Sequence, residues 1–293
     1  MVRIVTLLKL INPALWAGNQ WLGFQRGAAS LWSRAGLMPR PRMRACKVAE
    51  GHLAASLLIV LVFAAPAFAL DGTQLLKQID RNLNPESFEM YRKLINVEPD
   101  GRKKEFVLFS VKKGLDKIAA LFLEPASERG RSTLRVGENM WLYIPNVGKP
   151  IRITSLQSVI GGVFNNSDIL QLDYAAEYDV VNVDETGNEY FLQLKAKSKT
   201  VAYDQLKMWA DKNKKLPTKI ECRTEADMLI KTLYFKQVKD FGGGTVRPSY
   251  LETDSPLYKD YKSVMIFAKI QKKDFKDEVF TLTFMPNIDS LRK

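Results

Sequence analysis

Apolar and polar positions follow two different rules along this chain. Residues 53–63 form an almost unbroken apolar run, followed by small residues that end in Ala67-Phe68-Ala69. From Asp71 onward the two kinds of position interleave. Over residues 73–83, Leu75, Leu76, Ile79 and Leu83 share one face at helical spacing, with Lys77, Asp80 and Arg81 opposite. Asp71 stands where an N-cap belongs and Pro85 follows the end, so the spacing predicts an amphipathic helix. From Glu86 the period drops to two. Strands are predicted over residues 87–97, 105–111, 118–123, 131–136 and 139–145, separated by Pro99-Asp100-Gly101, Pro125 and Gly137. In residues 105–111 both faces are apolar, with Phe106 and Leu108 on one and Val107, Phe109 and Val111 on the other.

Residues 151–173 break the alternation. Residues 155–160 and 166–172 each read as a short helix, the second capped by Asn166 or Ser167, with Gly161-Gly162 as a flexible joint between them. Strands resume at 178–183 and 190–196, where Tyr190, Leu192, Leu194 and Ala196 point inward. Residues 206–210 and 218–224 form a hairpin that turns Cys222 into the core as a small buried hydrophobe. Residues 228–238, 263–270 and 279–285 complete the set, the last with Phe280, Leu282 and Phe284 alternating against threonines. Short strands in sequential order with turn signals between them predict a mainly β (α+β) protein. Its architecture is a curved antiparallel sheet of about eleven strands, an incomplete β-barrel closed by an N-terminal helix and a mid-chain helical lid.

The apolar run at 53–69 is short of the roughly 20 residues that a spanning helix needs. It contains Pro66 and ends in an A-x-A cleavage signature, the order of a secretory signal peptide cut after Ala69. The competing reading is a membrane anchor. Starting at Met43 gives Met43-Arg44-Ala45-Cys46-Lys47 ahead of the run, a leader of ordinary length. Residues 1–42 are then an extension ahead of the true start, residues 43–69 the signal, and residues 70–293 one domain. Residues 1–49 carry Arg and Lys without an acidic residue, which also fits an organelle transit segment; the cleavage signature favours export to the periplasm.

Charge and rare residues narrow the function. The formal charge is +12, but residues 70–293 hold 36 of the 44 basic and 31 of the 32 acidic side chains. Most of the excess therefore lies in the leader, and the case for nucleic acid goes with it. The single histidine is His52, within the leader. That removes Ser–His and Cys–His catalysis and histidine metal sites from the rest of the chain. Of the two cysteines only Cys222 follows the leader, so no internal disulfide is available there. Carboxylate pairs such as Asp168 with Asp173, or Asp274 with Asp277, have the spacing of a general acid and base. Nothing in the sequence sets their pKa values apart, and the expectation is a protein that is not an enzyme.

Four stretches, taken in order, carry a family resemblance. They are the helix after the leader; Met140-Trp141-Leu142-Tyr143-Ile144-Pro145 with Lys149, Pro150 and Arg152; Asn166-Ser167-Asp168-Ile169-Leu170-Gln171-Leu172-Asp173-Tyr174; and Trp209 with Leu216-Pro217-Thr218-Lys219. Together they span most of residues 71–285, and the chain resembles the LolA/LolB-like superfamily, in its branch of outer-membrane lipoprotein-sorting proteins. The resemblance implies a half-barrel of about eleven strands covered by helices. Its apolar cavity would take acyl chains of a lipoprotein or lipid across the periplasm, from an inner-membrane exporter (RND/MMPL-type or ABC) to an outer-membrane acceptor. It implies a monomer, no cofactor, and an arginine near the cavity mouth acting as a gate, to which no single arginine of this sequence is matched. The alternative is a non-catalytic accessory subunit of an RND/MMPL-type exporter, its cavity filled by its own helices.

On that reading the cavity wall is expected from Phe106, Leu108, Leu121, Leu123, Trp141, Tyr143, Leu192 and Leu194. The lid and its hinge fall to Gly161, Gly162, Ile169 and Leu172, and Lys149 and Arg152 stand at the rim. Each has a plainer role beside it: ordinary core for the apolar set, a fixed plug for the lid, solvated surface for the two cations.

Overall fold

The structure, a computed structural model, describes residues 71–158 and 160–292. The leader and its cleavage site lie outside these residues. Helix α1 (Gly72–Leu83) begins where predicted. The Asp71 carboxylate accepts from the amides of Thr73 at 2.9 Å and Gln74 at 3.2 Å, supplying partners for N–H groups that a first turn leaves unbonded. Leu75, Leu76, Ile79 and Leu83 are buried, so the apolar stripe faces the protein.

Thirteen strands form one sheet: β1 (Phe88–Val97), β2 (Lys103–Lys113), β3 (Lys117–Glu124), β4 (Ser132–Val136), β5 (Asn139–Tyr143), β6 (Ile151–Ile153), β7 (Tyr178–Thr186), β8 (Glu189–Ala196), β9 (Gln205–Asp211), β10 (Pro217–Arg223), β11 (Leu229–Asp240), β12 (Val246–Asp254) and β13 (Lys262–Lys272). Their order is β6-β5-β4-β3-β2-β1-β13-β12-β11-β10-β9-β8-β7. Every pairing is antiparallel, and β1 pairs with β13 from Phe88↔Lys272 to Val97↔Lys262. The first strand thus joins the last, and the free edges are β6 and β7, which follow one another in sequence. The chain between those edges, residues 154–177, crosses one face of the sheet instead of pairing. It holds two single-turn helices, α2 (Asn166–Ile169) and α3 (Tyr174–Glu177). No helix among the described residues is long and apolar enough to cross a membrane.

Three predicted details differ. The sheet has thirteen strands rather than about eleven, because β6 and β12 were hidden. Pro248 made β12 look like loop, yet it is tolerated. There β12 is bonded to β11 only, and its pairing with β13 begins at Tyr250, so no ladder bond needs the missing N–H. Residues 155–158 and 160 are not helical. The Thr154 amide donates to Gln157 Oε1 at 2.9 Å and Ser155 Oγ to the Thr200 carbonyl at 2.9 Å, so local side-chain bonds compete with helical ones. Residues 279–285 are not a strand. β13 already has β1 and β12 on its two sides, so the chain that leaves it has no free edge beside it to join. It lies across the sheet as two 3₁₀ turns, Asp277–Phe280 and Met285–Arg292.

The sheet buries both faces at its β1–β5 end. Its inner face, under α1 and the crossover, carries Phe106, Leu108, Ile118, Ala120, Phe122, Leu192, Leu194, Leu206 and Met208. Its outer face buries Phe109, Val111, Ala119, Leu121 and Leu134 beneath Phe275, Val279, Phe280, Met285 and Ile288 of the chain end. A strand apolar on both faces, as β2 is, needs cover twice, and these two segments supply it.

Candidate functional site

The inner face is where side chains from many elements converge. The crossover drives Ile160, Val163, Phe164, Ile169, Leu170, Leu172 and Tyr174 into the same cluster as Phe106, Leu108, Leu192 and Leu194. Little space remains. A cavity of about 20 Å³ lies between Tyr174, Tyr178, Tyr203 and Cys222, with Asp168, Gln171 and Glu177 along its other side. That is room for one water.

The crossover is held by side chains rather than by a backbone ladder. Asn96 of β1 donates to the carbonyls of Ile160 at 3.3 Å and Gly161 at 3.1 Å, and accepts from Ser263 Oγ at 2.7 Å. Ser263 Oγ in turn accepts from the Val163 amide at 2.9 Å. Arg92 donates to the Ile169 carbonyl, and Arg135 to the Leu170 carbonyl at 3.2 Å and to Glu177. Lys231 pairs with Asp168 and donates to the Val163 carbonyl at 3.1 Å. Asp173 accepts from Lys112 at 2.9 Å and pairs with Arg81. Within the crossover, Asn165 caps α2 and completes a capping box with Asp168. Every one of these ionised groups except Arg81 is buried, so each depends on its partner.

Asp80 adds a link from α1. Its two carboxylate oxygens accept from the amides of Tyr174 at 2.9 Å and Ala175 at 2.8 Å, the first turn of α3. Burial raises its pKa from the ordinary 3.8 to about 6, against the pull of those two amides and of Arg81 and Lys112. Its folded value lies above the unfolded one. Its contribution to stability is therefore full below about pH 4 and is lost as pH rises through about 6. Asp80→Asn is expected to flatten the decline of the thermal midpoint between about pH 4 and pH 7; an unchanged slope would show that another group sets it.

At the predicted joint the two glycines differ in their surroundings. Gly161 and Gly162 both have positive φ, +71° and +73°, but a Cβ on Gly162 would lie 2.3 Å from Asn96 Oδ1, while one on Gly161 meets nothing within 4 Å. Gly162→Ala is expected to cost about 2–4 kcal/mol, strain plus the broken Asn96 contact, against about 1–2 kcal/mol of strain alone for Gly161→Ala. Equal losses on urea unfolding would remove the Asn96 contact from the account.

Of the eight expected wall residues, the structure brings Phe106, Leu108, Leu192 and Leu194 together on the inner face. Leu121, Leu123, Trp141 and Tyr143 are on the outer face, against the chain end. The correction has a simple cause: alternation divides a strand into two faces and does not say which one curves inward. Ile169 and Leu172 of the expected lid are buried under it. Lys149 and Arg152 are exposed, and Arg152 lies over the outer-face Trp141 with its guanidinium 5.9 Å from the ring centroid. Asp168 and Asp173, weighed as an acid–base pair, are each committed to a buried cation, and Asp277 pairs with Lys113 and Lys117. Cys222 is buried and its thiol is pushed up by burial, so it packs as predicted.

Comparison with known proteins places this arrangement. A LolA superfamily protein from Nitrosomonas europaea superposes with a TM-score of 0.67 at 24% identity, covering 74% of this chain and 100% of that one. A DUF1329 family protein from Desulfovibrio piger gives 0.64 at 19% identity, covering 73% and 97%. A putative outer membrane lipoprotein-sorting protein domain from Vibrio parahaemolyticus gives 0.61 at 16% identity, covering 73% and 98%. No curated protein matches the chain. A family model with the description "Uncharacterized protein" matches residues 114–287, more than half of the chain. The chain belongs to that family, and its fold is the curved open sheet of LolA superfamily proteins.

Proposed function

We propose that this protein is a periplasmic carrier that binds acyl chains of a lipid or lipidated protein on the inner face of its sheet, with the crossover as the movable cover. One observation carries the reading. The inner apolar face is roofed by residues 154–177, which hang between two free sheet edges and are fastened by side chains to Asn96, Arg92, Arg135 and Lys231, with one backbone bond at the far end, from the Lys197 amide to the Glu177 carbonyl. A cover of this kind can withdraw without unpairing a strand. The apolar side chains it inserts occupy the place an acyl chain would take. Arg92 bonds a cover carbonyl from the sheet floor, so it can fasten the cover when the site is empty.

The energetics support such a ligand. Burying an acyl chain gives roughly 0.8 kcal/mol per CH₂, so about fourteen carbons give on the order of 10 kcal/mol before ordering costs. That gain has to exceed the cost of lifting the cover. It also holds the chain firmly enough that delivery needs a membrane or protein acceptor. The sorting-protein name of the Vibrio relative and the expected signal peptide support a place between an inner-membrane exporter and the outer membrane.

The nearly filled interior favours a second reading, an accessory subunit of an RND/MMPL-type exporter whose cover never lifts. One experiment separates the two. The full chain is exported through its own leader, recovered from the periplasm without detergent, extracted with organic solvent and analysed by mass spectrometry, with uptake of a fluorescent fatty acid in parallel. A stoichiometric lipid or acylated peptide, and uptake that a folded Leu108→Asp variant loses, are expected for the carrier. An empty protein that takes up nothing would leave the accessory reading.

A further inference from the structure

Among the described residues, five cations are buried on the inner side: Arg92, Lys112, Arg135, Lys231 and Arg247. Three are neutralised where they stand, Lys112 by Asp173, Arg135 by Glu177 and Lys231 by Asp168. Arg92 and Arg247 make no ion pair among the described residues. Arg92 donates to the Ile169 carbonyl, to Ser110 Oγ at 3.0 Å and to Met265 Sδ at 3.7 Å, and its Nε has no partner. Arg247 donates to Asn84 Oδ1 and to the Pro248 carbonyl at 3.2 Å.

The two guanidinium groups belong to one site. Phe267 of β13 stands opposite Arg92 of β1 in the ladder, and the Arg247 guanidinium lies 4.1 Å from the centroid of that same ring. Arg92 and Arg247 therefore flank one phenylalanine on the inner face. Burial lowers Arg92 to about 10, and burial together with the charge of Arg92 lowers Arg247 to about 9.

Two like charges held out of water with only neutral acceptors are costly. The fold places a carboxylate beside each of the other three buried cations and, among the described residues, none beside these two. The acceptors present are an amide oxygen, a hydroxyl, a thioether and two peptide carbonyls. The oxygens among them stand where those of an anion would fit an arginine fork with stronger, charge-assisted bonds. One acceptor, the Ile169 carbonyl, belongs to the crossover. When the cover withdraws, Arg92 loses that acceptor as the apolar face beside it opens.

We propose that Arg92 and Arg247 form the head-group site of the inner face and bind the carboxylate or phosphate of an acyl-chain ligand, with its tail on the neighbouring apolar residues Phe88, Leu94 and Met265. The inference rests on the carrier reading and narrows it to anionic amphiphiles. Either a fatty acid or a phosphate-bearing lipid supplies that chemistry.

The test is equilibrium binding of three ligands of equal chain length to the full chain: hexadecanoate, hexadecyl phosphate and the neutral methyl hexadecanoate. Both anions are expected to bind about 10- to 100-fold more tightly than the ester, as charged hydrogen bonds to a buried arginine pair would give. The tighter of the two anions names the source. Arg247→Met is expected to bring the anions down toward the affinity of the ester, and Arg247→Lys to keep part of the preference. The Met variant should fold with a thermal midpoint at or above that of the wild type, because an apolar side chain in place of an unpaired buried charge is neutral or stabilising. If it does not fold, the wild-type comparison decides alone. Ester and anions binding alike would overturn the inference and leave the carrier reading standing. A preference that survives Arg247→Met would take the head group away from this pair, and binding of none of the three would overturn both.

Discussion

Phe164→Ala is expected to bind a sixteen-carbon acyl probe more tightly than the wild type while unfolding more easily. Phe164 is fully buried in the inner cluster, and it belongs to the crossover rather than to the sheet. Truncating a fully buried phenylalanine costs about 3–5 kcal/mol. In an ordinary core that loss has no counterpart in affinity. Here the side chain stabilises only the covered arrangement, and the ligand binds only the uncovered one. Whatever part of the loss separates the two arrangements returns as apparent affinity. A share of about 2 kcal/mol would tighten binding by roughly 30-fold. The check pairs a urea midpoint with a fluorescent fatty-acid titration. A drop in stability with affinity unchanged or weakened would make Phe164 plain core and favour the accessory reading.

Asp168→Ala should be among the most damaging single changes in the molecule. The carboxylate accepts from Lys231, from the Asn165 amide at 2.8 Å and from Tyr203 Oη at 3.2 Å. Its loss strands the Lys231 ammonium in the interior and removes one half of the capping box. An uncompensated buried charge costs about 3–5 kcal/mol. The double variant Asp168→Ala/Lys231→Met should recover a large part of that, because it removes the stranded charge instead of only its partner. Chemical denaturation of the wild type, both singles and the double completes the cycle. A single-variant loss below about 1 kcal/mol would show that Lys231 reaches water and is not sealed under the crossover.

The parts of the fold written in local pattern were legible: α1 with its Asp71 cap, most strands, and an interruption of the strand pattern at residues 151–173, most of which is the crossover. Curvature was not. Nothing in the alternation of Phe106 and Leu108 against Val107 and Phe109 says which pair faces inward, and Trp141 and Tyr143, expected in the cavity wall, lie on the outer face. The latch was half visible. Lys112 shares its parity with Phe106 and Leu108 on β2, and Lys231 with Leu233 on β11. A cation in phase with the inner apolar positions signals a buried ion pair, although its partners Asp173 and Asp168 lie 61 and 63 residues away. Arg92 stands between Met90 and Leu94 in the same way. What no local pattern carries is the absence of a carboxylate beside it, which depends on how the crossover, α1 and β12 come together.

A carrier of this design must move its crossover when an acyl chain arrives. Amide hydrogen exchange of the protein, empty and saturated with hexadecanoate, measures that directly. The amides of Val163, Asn166, Leu170 and Tyr174 are now bonded to Ser263 Oγ, the Gln157 carbonyl, the Asn166 carbonyl and Asp80, at 2.9, 2.7, 2.8 and 2.9 Å. In the loaded protein, exchange across residues 163–174 is expected to quicken while β1 and β2 keep their protection. Saturable binding with exchange in that segment unchanged or slowed would contradict it, since the ligand would then sit elsewhere and the crossover would be a fixed part of the core.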